Sequence, residues 1–298
     1  MEISPKSKIK SYLKLFRIHH WLKNALVFTP LIFAVKFFNF DLLIKTAFCF
    51  LAFSLLASAI YIINDIFDAS KDKLHKIKHL RPIASGQISC QNAAFCSIIL
   101  IALAFIVNFC FVKDQSLAWL FLALYLFSNI AYSLGLKNIP LIDLIILVCG
   151  FLLRILYGSQ TTGIPISNWL YLVIFASSFF MGLGKRRNEI LTSGADTREV
   201  LKRYAFDFLD KSLYVCLTLT VVFYAMWAID VQAMSRHSIN PIWTVSLVLI
   251  ICLRYSMVLE NKSFGDPVDI LLHDAVLKTL VFLYAIIMFF VLYGQTVI

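Results

Sequence analysis

Asn64, Asp65, Asp68 and Asp72 lie in the run YIINDIFDASKDKLHKIKHLRPIASGQIS, where a long apolar stretch gives way to charge. If a helix continues through this run, Asn64, Asp68 and Asp72 stand at i, i+4 and i+8 on one face, with Asp65 beside them. Carboxylates that close repel one another unless something positive sits between them. Oxygen-only donors suit a hard cation, and magnesium in particular uses one or two carboxylates together with substrate phosphates. The sequence therefore marks Asn64, Asp68 and Asp72 as metal ligands and Asp65 as a further member of the catalytic set. The alternative is a solvated helix end whose acids pair with Lys71, Lys73 and Lys76.

A second charged cluster lies in FFMGLGKRRNEILTSGADTREVLKRY. Lys185 and Glu189 are at helical i, i+4 spacing, with Arg186 and Arg187 adjacent. Arginine and lysine near a membrane surface suit phosphate oxygens, so Lys185 and Arg186, with Glu189, read as a phosphate clamp. An excess of cytoplasmic base would produce a similar run. Arg154, in GFLLRILYGS, falls inside an apolar stretch, where an arginine is costly enough to mark a functional site, with an acidic group or a substrate phosphate as its partner. A structural pair with Asp143 is the alternative. In FRIHHWLKN, Trp21 reads as an interfacial anchor, and Lys23 and Asn24 lie at a depth from which they could reach a cavity. His19 and His20 read as interfacial residues.

The elements that position these groups follow from composition. The 298 residues are 60% hydrophobic and only 15% charged, with a mean hydropathy of +0.83. A soluble protein is closer to half apolar and about a quarter charged. The apolar residues come in blocks of the length a helix needs to cross about 30 Å of hydrocarbon. Nine spans are expected, at 22–38, 43–63, 91–112, 116–134, 139–158, 167–184, 211–230, 241–259 and 275–295, so the fold class is all-α and polytopic. An odd number puts the termini on opposite faces. On one set of connections lie 21 of the 27 lysines and arginines, which makes that face cytoplasmic, with the N-terminus inside. A formal charge of +10 would suggest a nucleic-acid partner in a soluble protein; here it belongs to loops beside a membrane, and no nucleic acid is expected. Two cytoplasmic loops, 64–90 and 185–210, exceed the 2–8 residues usual between helices. They hold both charged clusters. The seven cysteines are scattered, mostly in apolar runs, and read as packing residues.

The pattern Asn64-Asp65-x-x-Asp68-x-x-x-Asp72, followed by Arg81-Pro82-Ile83-Ala84-x-Gly86, resembles the first aspartate-rich motif and downstream signature of the UbiA superfamily of intramembrane prenyltransferases. Nine helices with long loops after the second and sixth are similar to that family too. The stretches HWLKNALVFTPLIFA, YSLGLKNIPLIDLIILVCGFLLR, ISNWLYL, GKRRNEI and RYSMVLENKSFGDPVDILLHD resemble its decaprenyl-phosphate phosphoribosyltransferase branch. Members that move a prenyl group usually carry a second DxxxD in the later loop. Here it is Lys185-x-x-x-Glu189, which reverses the charge at the first position and leaves one metal plus a basic grip.

The resemblance implies a single UbiA-type bundle over 1–298 with a lateral, lipid-accessible cavity, capped by loops 64–90 and 185–210. It implies a magnesium-dependent transferase that moves 5-phosphoribosyl from phosphoribosyl pyrophosphate to a polyprenyl phosphate and releases pyrophosphate. The phosphate-binding set is then Lys23, Arg81, Lys137, Arg154, Lys185, Arg186 and Glu189. The implied location is the bacterial inner membrane, with the active site facing the cytoplasm. Two rivals stand beside this reading. Prenyl transfer to an aromatic acceptor is disfavoured by Lys185, and a lipid or small-molecule transporter would need repeated halves or paired broken helices that the sequence does not display.

Overall fold

The structure is a computed structural model, and it describes residues 5–74, 78–112, 116–194, 198–230, 240–260 and 266–294. Every regular element among the described residues is helical. Lys76, Lys113, Arg236 and Lys262, which entered the charge count, lie outside them. The chain divides into two compact units, one of 1–137 with 153–165 and one of 138–152 with 166–298.

The first unit opens with α1 (Pro5–Phe16), a 3-10 segment (Ile18–Phe28) and the short α2 (Thr29–Phe33). The long α3 (Phe40–Phe67) follows, then α4 (Ala69–Lys73), α5 (Cys90–Phe111) and α6 (Ser116–Leu134). The helix α7 (Ile142–Thr162) gives its C-terminal half to this unit. α3 is the central element: its apolar residues recur on all sides, as in a helix surrounded by protein. It packs mainly against α5 and also against α6 and the 3-10 segment. One core cluster gathers Phe53, Leu56, Leu122, Tyr125 and Tyr157; another gathers Leu15, Ala59, Ile62, Ile83 and Ile88. At the other extreme, Phe95, Ile98 and Phe109 of α5 are more than 60% exposed, as expected of side chains facing lipid.

The second unit holds the first half of α7, then α8 (Asn168–Ser193), α9 (Phe206–Ile229), α10 (Val245–Glu260), α11 (Pro267–His273) and α12 (Ala275–Tyr293). α8 and α9 make its most extensive helix pairing. Leu144, Phe180, Leu183, Leu213, Tyr255 and Leu259 form its core. Helix starts are fixed by short polar side chains that take up otherwise orphaned N–H groups: Ser167 accepts from Leu170 N, and Asp274 from Leu277 N.

Among the described residues seven helices are long and apolar enough to cross a membrane, which makes the chain an integral, multi-pass membrane protein. Two expected spans differ from that pattern. α8 is long, but Asn168 and the Lys185-Arg186-Arg187 run flank its apolar middle. The first expected span, 22–38, is not one helix: the 3-10 segment gives way at Pro30 to the single turn and a half of α2. Departures from a continuous α-helix are tolerated in a membrane protein where other protein packs on them. Here Asn24 donates to Ser54 Oγ at 3.0 Å and Trp21 Nε1 to Ser58 Oγ at 2.9 Å, so the segment is fastened to α3 by polar side chains. Trp21 is therefore a docking residue as well as the expected anchor. Close approach is possible because Gly158 of α7 has no side chain; a Cβ there would lie 2.1 Å from Val27 O.

Two helix ends run further than expected. α3 continues to Phe67, and Asp68 N and Asp72 N keep helical bonds to Asn64 O and Asp68 O at 2.9 and 2.8 Å. α8 reaches Ser193, nine residues past its expected end at 184. Hydropathy marks where the apolar run stops, whereas backbone hydrogen bonding carries the helix on into the charged sequence.

Candidate active site

Because the turn of α3 carries on into α4, Asn64, Asp68 and Asp72 share one face as the spacing requires. Asn64 Nδ2 donates to Asp68 Oδ2 at 3.1 Å, and Ser133 Oγ of α6 donates to Asn64 Oδ1 at 3.3 Å. Lys137, just beyond α6 and 9% exposed, places Nζ 2.5 Å from Asp68 Oδ1. Arg81 bridges the other two acids, with Nη1 2.6 Å from Asp72 Oδ2 and 3.0 Å from Asp65 Oδ1. Arg17 Nη2 reaches the same Asp65 oxygen at 2.5 Å. The positive charge that the acids require thus comes from Arg17, Arg81 and Lys137, in place of Lys71 and Lys73; Lys76 lies outside the described residues.

Arg81 is held in place by its loop. Ser85 N and Ile88 N bond Arg81 O and Pro82 O at 2.8 and 3.0 Å, while Ile83 and Ile88 are buried against Leu15 and Ile62. Gly86 takes a positive φ of 77°, where a side chain would be strained. Gln87 accepts from Ser11 Oγ at 2.7 Å, and Leu80 O accepts from Lys14 Nζ at 2.9 Å. These bonds tie the loop to α1.

Deeper in the first unit, Arg154 is 5% exposed. Its Nε donates to Asn24 Oδ1 at 2.8 Å and its Nη2 to Tyr125 OH at 3.0 Å. The guanidinium carbon lies 4.9 Å from the ring centres of both Phe53 and Tyr125. The structural pair with Asp143 considered from sequence does not form. Asp143 belongs to Arg186, and Arg154 is accommodated by aromatic faces and polar oxygens. Lys23, half-buried, sits on the 3-10 segment that Arg154 grips through Asn24.

The second unit gathers the other cluster at the end of α8. Arg186, 1% exposed, places Nε 2.6 Å from Asp143 Oδ2 and Nη1 2.9 Å from Glu189 Oε2. Tyr204 OH donates to Asp143 Oδ1 at 2.6 Å, and burial together with that bond raises its phenol above the ordinary range. Arg198 reaches Glu189 at 3.3 Å. Burial pushes the Glu189 carboxyl up, but Arg186, Arg198 and Lys185 outweigh it and hold it down at about 2. Lys185, about a third exposed, pairs with Asp266 at 3.3 Å, and Arg187 with Asp210 at 2.7 Å. Of the basic run, then, Lys185 is the exposed member and Arg186 the buried one.

Asn64, Asp68 and Asp72 offer oxygen donors only, the chemistry a hard divalent cation selects. Among the described residues no three His, Cys, Asp or Glu side chains group closely enough to hold a metal by themselves. Two carboxylates and an amide oxygen nevertheless fit an ion that completes its shell with phosphate and water.

The model of the UbiA prenyltransferase family matches residues 25–273. The chain belongs to this family. The decaprenyl-phosphate phosphoribosyltransferase of Corynebacterium glutamicum is 34% identical over 285 residues, covering 93% of this chain and 85% of its own length. That of Mycolicibacterium smegmatis is 30% identical, covering 93% and 90%. Among solved structures, a UbiA homolog from Archaeoglobus fulgidus bound to GPP and Mg2+ has a TM-score of 0.69 at 19% identity, covering 93% of this chain and 99% of its own. That likeness shows the UbiA fold.

Sequence reasoning did not assign Arg17, Tyr125, Arg198, Tyr204 or Asp266 to a site. Asp266 had a signal, since an Asp before Pro267 is a helix N-cap pattern, and it does accept from Val268 N. The others are paired across 48, 29 or 61 residues of chain, or lie in a loop. Nothing local announces them.

Proposed function

We propose that this UbiA-family protein transfers 5-phosphoribosyl from phosphoribosyl pyrophosphate to a polyprenyl phosphate. The observation that carries the reading is the 34% identity, over 93% of the chain, with the decaprenyl-phosphate phosphoribosyltransferase of Corynebacterium glutamicum. Lys185, standing where prenyl-transferring members resemble one another in having an aspartate, is in keeping with it.

A phosphate oxygen of the lipid attacks the anomeric carbon of the donor. The bond from that carbon to the pyrophosphate oxygen breaks, and pyrophosphate leaves with the electron pair. The nucleophile is already ionised at neutral pH, so no strong general base is needed. Asn64, Asp68 and Asp72 would hold Mg2+, which supplies charge stabilisation for the departing pyrophosphate. Lys137 and Arg81, paired with Asp68 and Asp72, would bind donor phosphate oxygens. Lys23 in the first unit and Lys185 in the second are the remaining lysines of the proposed phosphate-binding set. Arg186 and Glu189, buried in ion pairs, keep the end of α8 ordered so that Lys185 is presented, and Arg154 keeps Asn24 and hence the segment carrying Lys23 in place. The excess of Lys and Arg on one set of connections supports a cytoplasmic N-terminus and active site, and the bacterial relatives support a bacterial inner membrane.

Purified protein with Mg2+, labelled phosphoribosyl pyrophosphate and a polyprenyl phosphate should yield a lipid-extractable label and one pyrophosphate per transfer. Asp68→Ala should abolish both. Label that stays in the aqueous phase with wild-type protein would refute the assignment.

A further inference from the structure

Asp65 is one residue along the helix from Asn64, and a step of one residue turns a side chain about 100° away from the face shared by Asn64, Asp68 and Asp72. It is 3% exposed, and its Oδ1 accepts from both Arg17 Nη2 and Arg81 Nη1. We propose that Asp65 is a positioning residue, which holds Arg17 and Arg81 side by side as a two-guanidinium grip for the donor's pyrophosphate. This rests on the phosphoribosyl-transfer reading and adds Arg17, which the reading itself leaves without a role.

Three observations carry it. First, Arg17 adopts left-handed backbone angles, φ 50° and ψ 49°, immediately after α1. That position after a helix is where glycine is favoured, because a Cβ is strained there. An arginine in its place is explained by a need for the side chain. Second, the conformation is fastened on every side. Ser58 Oγ donates to Phe16 O at 2.8 Å, the guanidinium lies over the Tyr61 ring at 4.9 Å, and Trp21 is bonded to Ser58. Ser58, Tyr61 and Asp65 lie along one stripe of α3, so the backbone after α1 is pinned turn by turn. Third, each guanidinium spends one nitrogen on Asp65. Among the described residues Arg17 bonds only through Nη2 and Arg81 only through Nη1, although each has five N–H donors. Arg17 is 18% and Arg81 25% exposed, so the remaining donors are within reach of a ligand. Two guanidiniums brought together would repel unless an anion sat between them, and Asp65 is that anion. A second anion, on their open sides, is what the pair then favours.

The test uses the full chain in lipid nanodiscs with inorganic pyrophosphate as probe. Calorimetry without divalent metal reads the grip alone, hydrogen exchange over 17–24 reads its anchoring, and the Mg2+ concentration for half-maximal activity reads the metal site. Asp65→Asn is expected to weaken pyrophosphate binding at least tenfold and to speed exchange over 17–24. It should leave the Mg2+ requirement within twofold and exchange in 116–134 unchanged. Arg17→Ala should weaken pyrophosphate to the same degree, and the double variant no further. If Asp65→Asn fails to fold, Arg17→Ala carries the test, since it leaves Asp65 on Arg81. A tenfold rise in the Mg2+ requirement with pyrophosphate binding unaltered would make Asp65 a metal ligand and overturn the proposal. Wild-type pyrophosphate affinity in Arg17→Ala would also overturn it. Failure of the wild type to label lipid would count against the transfer reading alone, because calorimetry and exchange do not depend on turnover.

Discussion

Replacing Arg186 with methionine keeps the length of the side chain and removes the cation from an ion pair whose partners are 1% and 0% exposed. Among the described residues, Asp143 would be left with the Tyr204 hydroxyl as its side-chain partner. Breaking a buried pair from one side costs about 3–5 kcal/mol, since the surviving charge has lost its partner and has no water. With the Tyr204 bond retained, Arg186→Met should lose about 3 kcal/mol, more than a hundredfold in the folded population. Arg186→Met with Asp143→Asn removes both charges and keeps an acceptor for Tyr204, so most of the loss should return. Equilibrium unfolding of the four proteins in mixed detergent micelles measures the cycle. A loss under about 1 kcal/mol in the single variant, or a double variant no better than it, would refute the claim that this pair is buried and mutually dependent.

Two further outcomes follow from individual contacts. Gly158→Ala sets a methyl group against Val27 O, which cannot move without displacing the 3-10 segment; unfolding should show a loss of about 1–3 kcal/mol, and donor affinity should fall with it. Glu189 is held at about 2, below its ordinary 4.5, so its ion pairs stabilise the fold fully above pH 4.5 and are lost as the pH drops toward 2. Glu189→Gln should therefore be less stable than wild type at pH 7, with the gap narrowing between about pH 4.5 and 2 in unfolding measured across that range; a gap independent of pH would show that the charge is not responsible.

Much of this architecture was legible in the sequence because it depends on local periodicity. The blocks of α3, α5 and α12 are uniformly apolar over the length of a bilayer, and the Asn64, Asp68, Asp72 face needs only that the helix not stop at the membrane boundary. The first span was misread for the same reason. Residues 22–38 have the hydropathy of a helix, but Pro30 and the bonds from Trp21 and Asn24 to serines of α3 favour two shorter elements, and those bonds depend on tertiary packing. Charges were harder still. Lys71 and Lys73 were the nearest bases to the aspartates in sequence, yet Arg17, Arg81 and Lys137 supply the pairs from 48, 9 and 69 residues away. Arg154 was recognised as unusual, but its partners were not. A guanidinium set against two neighbouring aromatic rings has no signature in spacing, and Asp143, on the same helix α7, was the more obvious candidate.

The measurement closest to the central claim is mass spectrometry of the lipid products when the purified protein, with Mg2+, is offered two substrate pairs in one reaction: phosphoribosyl pyrophosphate with polyprenyl phosphate, and polyprenyl diphosphate with an aromatic acceptor. The account predicts a phosphoribosylated polyprenyl phosphate as the sole new lipid, absent with Asp68→Ala. A prenylated aromatic product would contradict it and would return Lys185 to a role in the transfer of prenyl groups.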